Sequence, residues 1–126
     1  MTQLHNRVNK EELKQKLAEE TFKRLTISFY RYVMIDNPEA FRDELYMALK
    51  ATNCFGRIYV AHEGINAQMS VPEENYNHFL SFINNHALLK NVPIKIAIED
   101  DGKSFYKLAV KVRVKIVADG LKIAID

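Results

Sequence analysis

FGRIYVAHEGINAQMSVP, residues 55–72, is the stretch on which the reading of this chain turns. Ile58-Tyr59-Val60 is β-branched and aromatic, a composition that favours a strand. Ala67-Gln68-Met69-Ser70-Val71 alternates apolar and polar residues with period two, as a half-buried strand does. His62-Glu63-Gly64 lies between them and supplies the turn, and Gly64 can adopt positive φ without a Cβ clash. A lone hairpin is marginal in water, so further strands, and helices over one face, are required from the rest of the chain.

They are found on both sides. Residues 23–35 alternate, with Leu25, Ile27, Phe29 and Val33 pointing one way and Thr26, Ser28, Tyr30 and Tyr32 the other. Asp36-Asn37-Pro38 opens a helix whose stripe is Phe41, Leu45, Ala48 and Leu49, and Thr52-Asn53 closes it. Pro72-Glu73-Glu74 opens another, with Tyr76, Phe79, Leu80 and Ile83 facing inward and an end near Asn84-Asn85. Residues 92–98 alternate through Ile94, Ile96 and Ile98, and residues 99–103 carry an Asp-Gly turn signal. Residues 105–117 place Tyr106, Leu108, Val110, Val112, Val114 and Ile116 on one face and Lys107, Lys111, Arg113 and Lys115 on the other. A straight strand of that length is unusual, so a bend or bulge is expected within it. Ahead of all this, Asn9 is placed to cap a helix over residues 10–20, with Glu12 in the capping box and a stripe of Leu13 and Leu17.

The order β-α-β-β-α-β predicts an α+β fold: a ferredoxin-like (acylphosphatase-like) sandwich with an additional N-terminal helix and a C-terminal strand. Its expected core is Ile27, Phe29, Ile58, Val60, Ile94 and Ile96 under two helices. The expected division is an N-terminal helical appendage over residues 1–22, the ferredoxin-like domain over 23–120, and the start of a linker at 121–126. A length of 126 residues suits one domain, and a 48% hydrophobic content suits a packed core. Lys and Arg number 18 against 16 Asp and Glu, a net charge of +2 that does not by itself imply nucleic acid. The single cysteine, Cys54, excludes an internal disulfide and a cysteine-pair zinc site, and points to a reducing compartment. No apolar run approaches the ~18 residues of a membrane helix and the N-terminus lacks a signal-peptide core, so a cytoplasmic, soluble protein is expected.

Four segments together carry a family resemblance: LHNRV at residues 4–8, TISFYRY at 26–32, the hairpin at 55–72, and DDGKSF with KVRVKIVADG beyond residue 99. The chain resembles the N-terminal domain of the rhodanese-related tRNA uridine 5-hydroxylases. The resemblance implies an enzyme that uses molecular oxygen as cosubstrate to form 5-hydroxyuridine at the tRNA wobble position. It implies tRNA and a C-terminal rhodanese domain as partners, and it makes this chain a fragment. Cys54 lies before the hairpin and does not match the cysteine loop of a rhodanese domain, so no catalytic residue transfers to it, and neither a cofactor nor a metal is expected in the fragment.

The chemistry-bearing residues then divide as follows. His62-Glu63 lacks the second histidine of H-E-x-x-H and sits in a turn, so a structural turn is the simpler reading. The functional alternative is a polar corner, His62, Glu63 and Asn66, facing a partner domain or RNA. Lys107, Lys111, Arg113 and Lys115 form a row that either neutralises phosphates or is a solvated strand face. Tyr30, Tyr32, Tyr59 and Arg57 are candidates to share the open sheet face, where rings either stack bases or pack under the N-terminal helix or the tail. An acylphosphatase-type enzyme would need a phosphate-cradling loop with Arg and Asn after the first strand, and Val33-Met34-Ile35-Asp36 offers none. Asp100-Asp101 is a turn without the other ligands of a calcium loop. Two functions remain: a tRNA-positioning domain of the hydroxylase, or a structural domain that braces the rhodanese domain without touching RNA.

Overall fold

The computed structural model describes residues 2–97 and 103–116, with side chains from residue 10 onward. Five strands form one mixed sheet: β1 (Arg24–Tyr32), β2 (Phe55–Ala61), β3 (Gly64–Pro72), β4 (Lys95–Ile96) and β5 (Leu108–Val112), in the order β4-β1-β3-β2-β5. β3 lies at the centre and pairs antiparallel with β1 and with β2 along their whole lengths. β4 is antiparallel to β1, whereas β5 runs parallel to β2 at the other edge. The helices are α1 (Thr2–Ala18), α2 (Pro38–Ala51) and α3 (Tyr76–Asn85), the last entered through a 3-10 turn, Glu73–Asn75. This is the expected α+β ferredoxin-like architecture.

The hairpin closes through His62-Glu63, with Ala61 opposite Gly64. Gly64 has φ +151, and a Cβ there would collide with the carbonyl oxygen of Arg31 on β1. Glycine therefore lets the central strand approach β1 at the turn. Alternate residues of the strands fill one face. Ile27 and Phe29 of β1 register with Met69 and Ala67 of β3, which register in turn with Gly56 and Ile58 of β2. Phe41, Leu45 and Leu49 of α2 and Phe79 and Ile83 of α3 belong to the same buried cluster. α2 opens at Asn37-Pro38 as expected, and the structure shows Asn37 as its cap: its Oδ1 accepts the Ala40 amide at 3.1 Å, with Pro38 in the first turn. At the far end Asn53 takes φ 60, a left-handed conformation that asparagine tolerates.

Four expectations are corrected. Asn9 is not a cap, because α1 begins at Thr2 and contains it. The strand expected over 92–98 shrinks to β4, and Ile96, although paired with Ile27, is exposed at the sheet edge, while Ile94 is half-buried. The strand expected over 105–117 is regular only over β5, and Val114, assigned above to the apolar face, is 93% exposed. Tyr106 precedes β5 and lines a groove on the opposite face. The reason is pairing. β5 matches residues 56–60 of β2, and β2 ends at the hairpin, so chain beyond Val112 has no ladder to continue. The expected bend is the point where the chain leaves the sheet. The Asp-Gly turn, Ile98 and the linker at 121–126 lie outside the described residues.

Candidate nucleic-acid interface

The face of the sheet opposite α2 and α3 is written by the other set of alternate residues. Register gives its rows across the strands: Tyr30, Asn66, Tyr59 and Lys111 in one, and Ser28, Gln68, Arg57 and Ala109 in the next. The four residues singled out from sequence, Tyr30, Tyr32, Arg57 and Tyr59, thus share this face. Part of it is covered by the end of the connection that leads into β5, residues 103–107. Ser104 and Phe105 of that connection line a cavity of about 280 Å³ with Thr26, Ser28, Gln68 and Lys95.

On the β2–β5 side the same connection walls a smaller groove, of about 150 Å³. Arg57, Lys107 and Lys111 supply its charge, and Tyr59, Phe105 and Tyr106 its rings. Arg57, Lys107 and Lys111 are exposed, as are Arg113 and Lys115 beyond the strand end. The rings are not bare. The Arg57 guanidinium lies 5.8 Å from the Phe105 ring centre, that of Arg113 lies 5.0 Å from Tyr59, and Lys14 Nζ of α1 lies 5.7 Å from Tyr106. Each pair is within the range of a cation–π contact, so the rings hold positive charge at the groove surface. Phe105 and Tyr106 were not singled out from sequence, because Tyr106 continues the alternation of β5 and reads as core.

The polar corner has a definite role in the fold. The Ile116 amide donates to Glu63 Oε2 at 2.8 Å, and Asn66 Nδ2 donates to the Ile116 carbonyl at 3.3 Å. The Arg113 amide meanwhile donates to the Val60 carbonyl at 2.8 Å. Residues 113–116 therefore cross from the β5 edge over β2 and are gripped at β3. His62 Nδ1 lies 3.0 Å from the Ile35 carbonyl. On the far side of this strap Tyr30 and Tyr32 form an edge-to-face pair, 6.3 Å between ring centres.

Other groups are committed to structure. The Val33 and Ile35 amides after β1 donate to the carbonyls of Glu63 and His62, so that loop is tied to the hairpin turn and cannot offer those amides to a phosphate. Arg24 is buried, ion-paired to Glu20 at 2.7 Å, and its guanidinium sits 4.0 Å from the Phe55 ring centre. Burial pushes the Cys54 thiol up to about 11, opposed in part by a hydrogen bond with Thr52 and by the Arg24 charge. A thiol so placed stays protonated and inert near neutral pH. Among the described residues no group of three or more His, Cys, Asp or Glu is placed to hold a metal ion. Among them, too, no helix is long and apolar enough to cross a membrane.

The topology and the tied loop define a domain that has the acylphosphatase-like fold. Residues 24–116 match the model of the UPF0176 acylphosphatase like domain, and the chain belongs to that family. It is 54% identical over 122 residues to the tRNA uridine(34) hydroxylase of Cronobacter sakazakii, covering 96% of this chain and 35% of that protein. It is 49% identical over 118 residues to the tRNA uridine(34) hydroxylase of Leptospira interrogans, covering 94% and 32%. The chain thus spans about a third of the length of the curated relatives it matches, and it corresponds to their N-terminal domain. Among solved structures it resembles a bacterial light-regulated adenylyl cyclase, with a TM-score of 0.55 and 13% identity over 83% of this chain and 33% of that one. It also resembles BlrB, a BLUF protein, with a TM-score of 0.52 and 8% identity over 75% and 76%. At those identities the likeness concerns the fold alone.

Proposed function

We propose that this domain positions tRNA for a uridine(34) hydroxylase, and that it does so through the groove between β2 and β5. The observation that carries the reading is the convergence of Arg57, Lys107 and Lys111 on one groove of the sheet face opposite α2 and α3. Phosphate contacts fix the register and orientation of a nucleic acid and carry little base selection. Charge contacts suit the groove better than base stacking, since Phe105 is already faced by Arg57, Tyr59 by Arg113 and Tyr106 by Lys14. The hydroxylation itself, with molecular oxygen as cosubstrate, is assigned to the intact protein and not to a residue of this domain. Its one thiol is buried, and the loop amides after β1 are engaged.

The test is tRNA binding by the intact protein as a function of salt. Removing one cation that neutralises a phosphate reduces the slope of log affinity against log salt by roughly 0.7 to 0.9. The triple variant Arg57→Gln, Lys107→Gln, Lys111→Gln is expected to lower affinity and flatten that slope by about 2, with the fold retained. An unchanged slope with unchanged affinity removes the groove from RNA binding. It leaves the bracing role, which the grip on Ile116 favours.

A further inference from the structure

We infer that Tyr30, Tyr32 and Met34 form the docking surface for the remaining two thirds of the intact protein. The three are exposed to 51%, 52% and 78%; the tyrosines pair edge to face, and Met34 follows two residues after Tyr32, just past the end of β1. The register neighbours of the tyrosines on β3, Asn66 and Gly64, carry no positive charge, unlike the groove on the other side of the strap. Tyrosine is enriched in protein interfaces, where the ring is covered and the hydroxyl finds a partner.

The occupant follows from where the described chain leads. Residues 113–116 travel from β5 over β2 to β3, and Glu63 and Asn66 fix Ile116 there by both its amide and its carbonyl. Ile116 is itself buried. The next strand in the same direction is β1, which carries the tyrosine pair, about 4.8 Å further on. The curated relatives continue for roughly twice the length of this chain again, since it covers about 35% of them. A domain tethered beside its docking patch experiences an effective concentration in the millimolar range, so even a small patch holds it. The clamp at Ile116 thus brings the end of the described chain to β3, one strand from the aromatic patch. This surface is separate from the basic groove, and either assignment can fail without the other.

Hydroxyl-radical labelling of the intact protein, without tRNA, tests it on the unaltered chain. Tyr46 and Met47 of α2, 37% and 69% exposed, are internal references on a helix of the opposite face. Judged from this domain alone, Tyr30 and Tyr32 react more than Tyr46, and Met34 more than Met47. Docking inverts both orders, with Tyr30, Tyr32 and Met34 protected at least about fivefold relative to their references. Labelling that follows the exposures of the isolated domain overturns the inference. So does protection that arises only when tRNA is added, which transfers the patch to RNA. In the intact protein, Tyr30→Ser with Tyr32→Ser is expected to accelerate proteolytic release of the domain several-fold and to leave the salt slope of tRNA binding unchanged. Release at the wild-type rate counts against docking.

Discussion

Phe29 and Tyr30 are neighbours on β1, yet one is 5% exposed and the other 51%. The backbone does not distinguish them; the pleat merely sends them to opposite faces. On the Phe29 face two helices complete the burial, and the residues are constrained by volume. On the Tyr30 face the coverings are irregular, a connection at one end and a strap at the other. What they leave open sorts into a cationic groove and an aromatic patch. The comparison teaches that periodicity specifies membership of a face, while occupancy of that face depends on segments distant in sequence.

The sharpest way to break the comparison is to remove both rings in turn. Phe29→Ala is expected to cost about 3–5 kcal/mol, because it leaves a cavity in the helix-covered face. In this domain by itself, Tyr30→Ala is expected to stay within about 0.5 kcal/mol, as for exposed positions. Denaturant unfolding of each variant measures the pair, and comparable losses would mean that the open face is covered as tightly as the core.

Most of the fold was legible because local signals and tertiary demands agreed. Leu25, Ile27 and Phe29 alternate, Asp36-Asn37-Pro38 opens a helix, Phe41, Leu45 and Leu49 recur at helical spacing, and the hairpin carries its glycine. Reading failed where the pattern outlasted its partner. Residues 105–117 alternate cleanly, but β2 provides a ladder only to Val60, so Val114 and Lys115 leave the sheet. Ile96 shows the other failure, since an edge position with the right parity is still exposed. For the candidate site, the sequence supplied Arg57, Lys107, Lys111 and the tyrosines as candidates. It could not show that the connection between β4 and β5 lays Phe105 against Arg57, nor that Glu63 and Asn66 hold Ile116. Those contacts span 48 to 53 residues and leave no periodic trace.

A titratable group on the covered side separates the two environments by pH. Cys54 is buried, and its thiol is pushed from an ordinary value of 9.0 to about 11. A raised value means that the unfolded chain loses this proton first. The associated stability is fully present below about pH 9 and is lost as pH rises through about 11, an effect of roughly 2–3 kcal/mol. The measurement is a difference between the wild type and a variant without the thiol. Unfolding free energies from pH 8 to pH 11 are expected to fall more steeply in the wild type than in Cys54→Ala. Parallel curves would show that the thiol is solvated like the open-face groups.

The smallest expected effect distinguishes two lysines on the open side. Regular alternation would space Lys111, Arg113 and Lys115 at about 7 Å, matching successive phosphates on a strand of RNA. The structure keeps only Lys111 within β5, where it registers with Tyr59 and lines the groove. Arg113 follows the strand end and is held over Tyr59 at 5.0 Å, while Lys115 lies on the strap, exposed. Both lysines carry the same charge, so their contributions to long-range attraction are similar and are screened over about 8 Å at physiological salt. What differs is the chance of a fixed phosphate contact. In the intact protein, Lys111→Gln is expected to reduce the salt slope of tRNA binding by about 0.7 to 0.9, the value of one neutralised phosphate. Lys115→Gln is expected to shift affinity slightly at low salt and to leave the slope within error. Equal slopes for the two variants would mean that RNA senses a diffuse basic edge and not a groove, and the role of Arg57 would have to be reassigned.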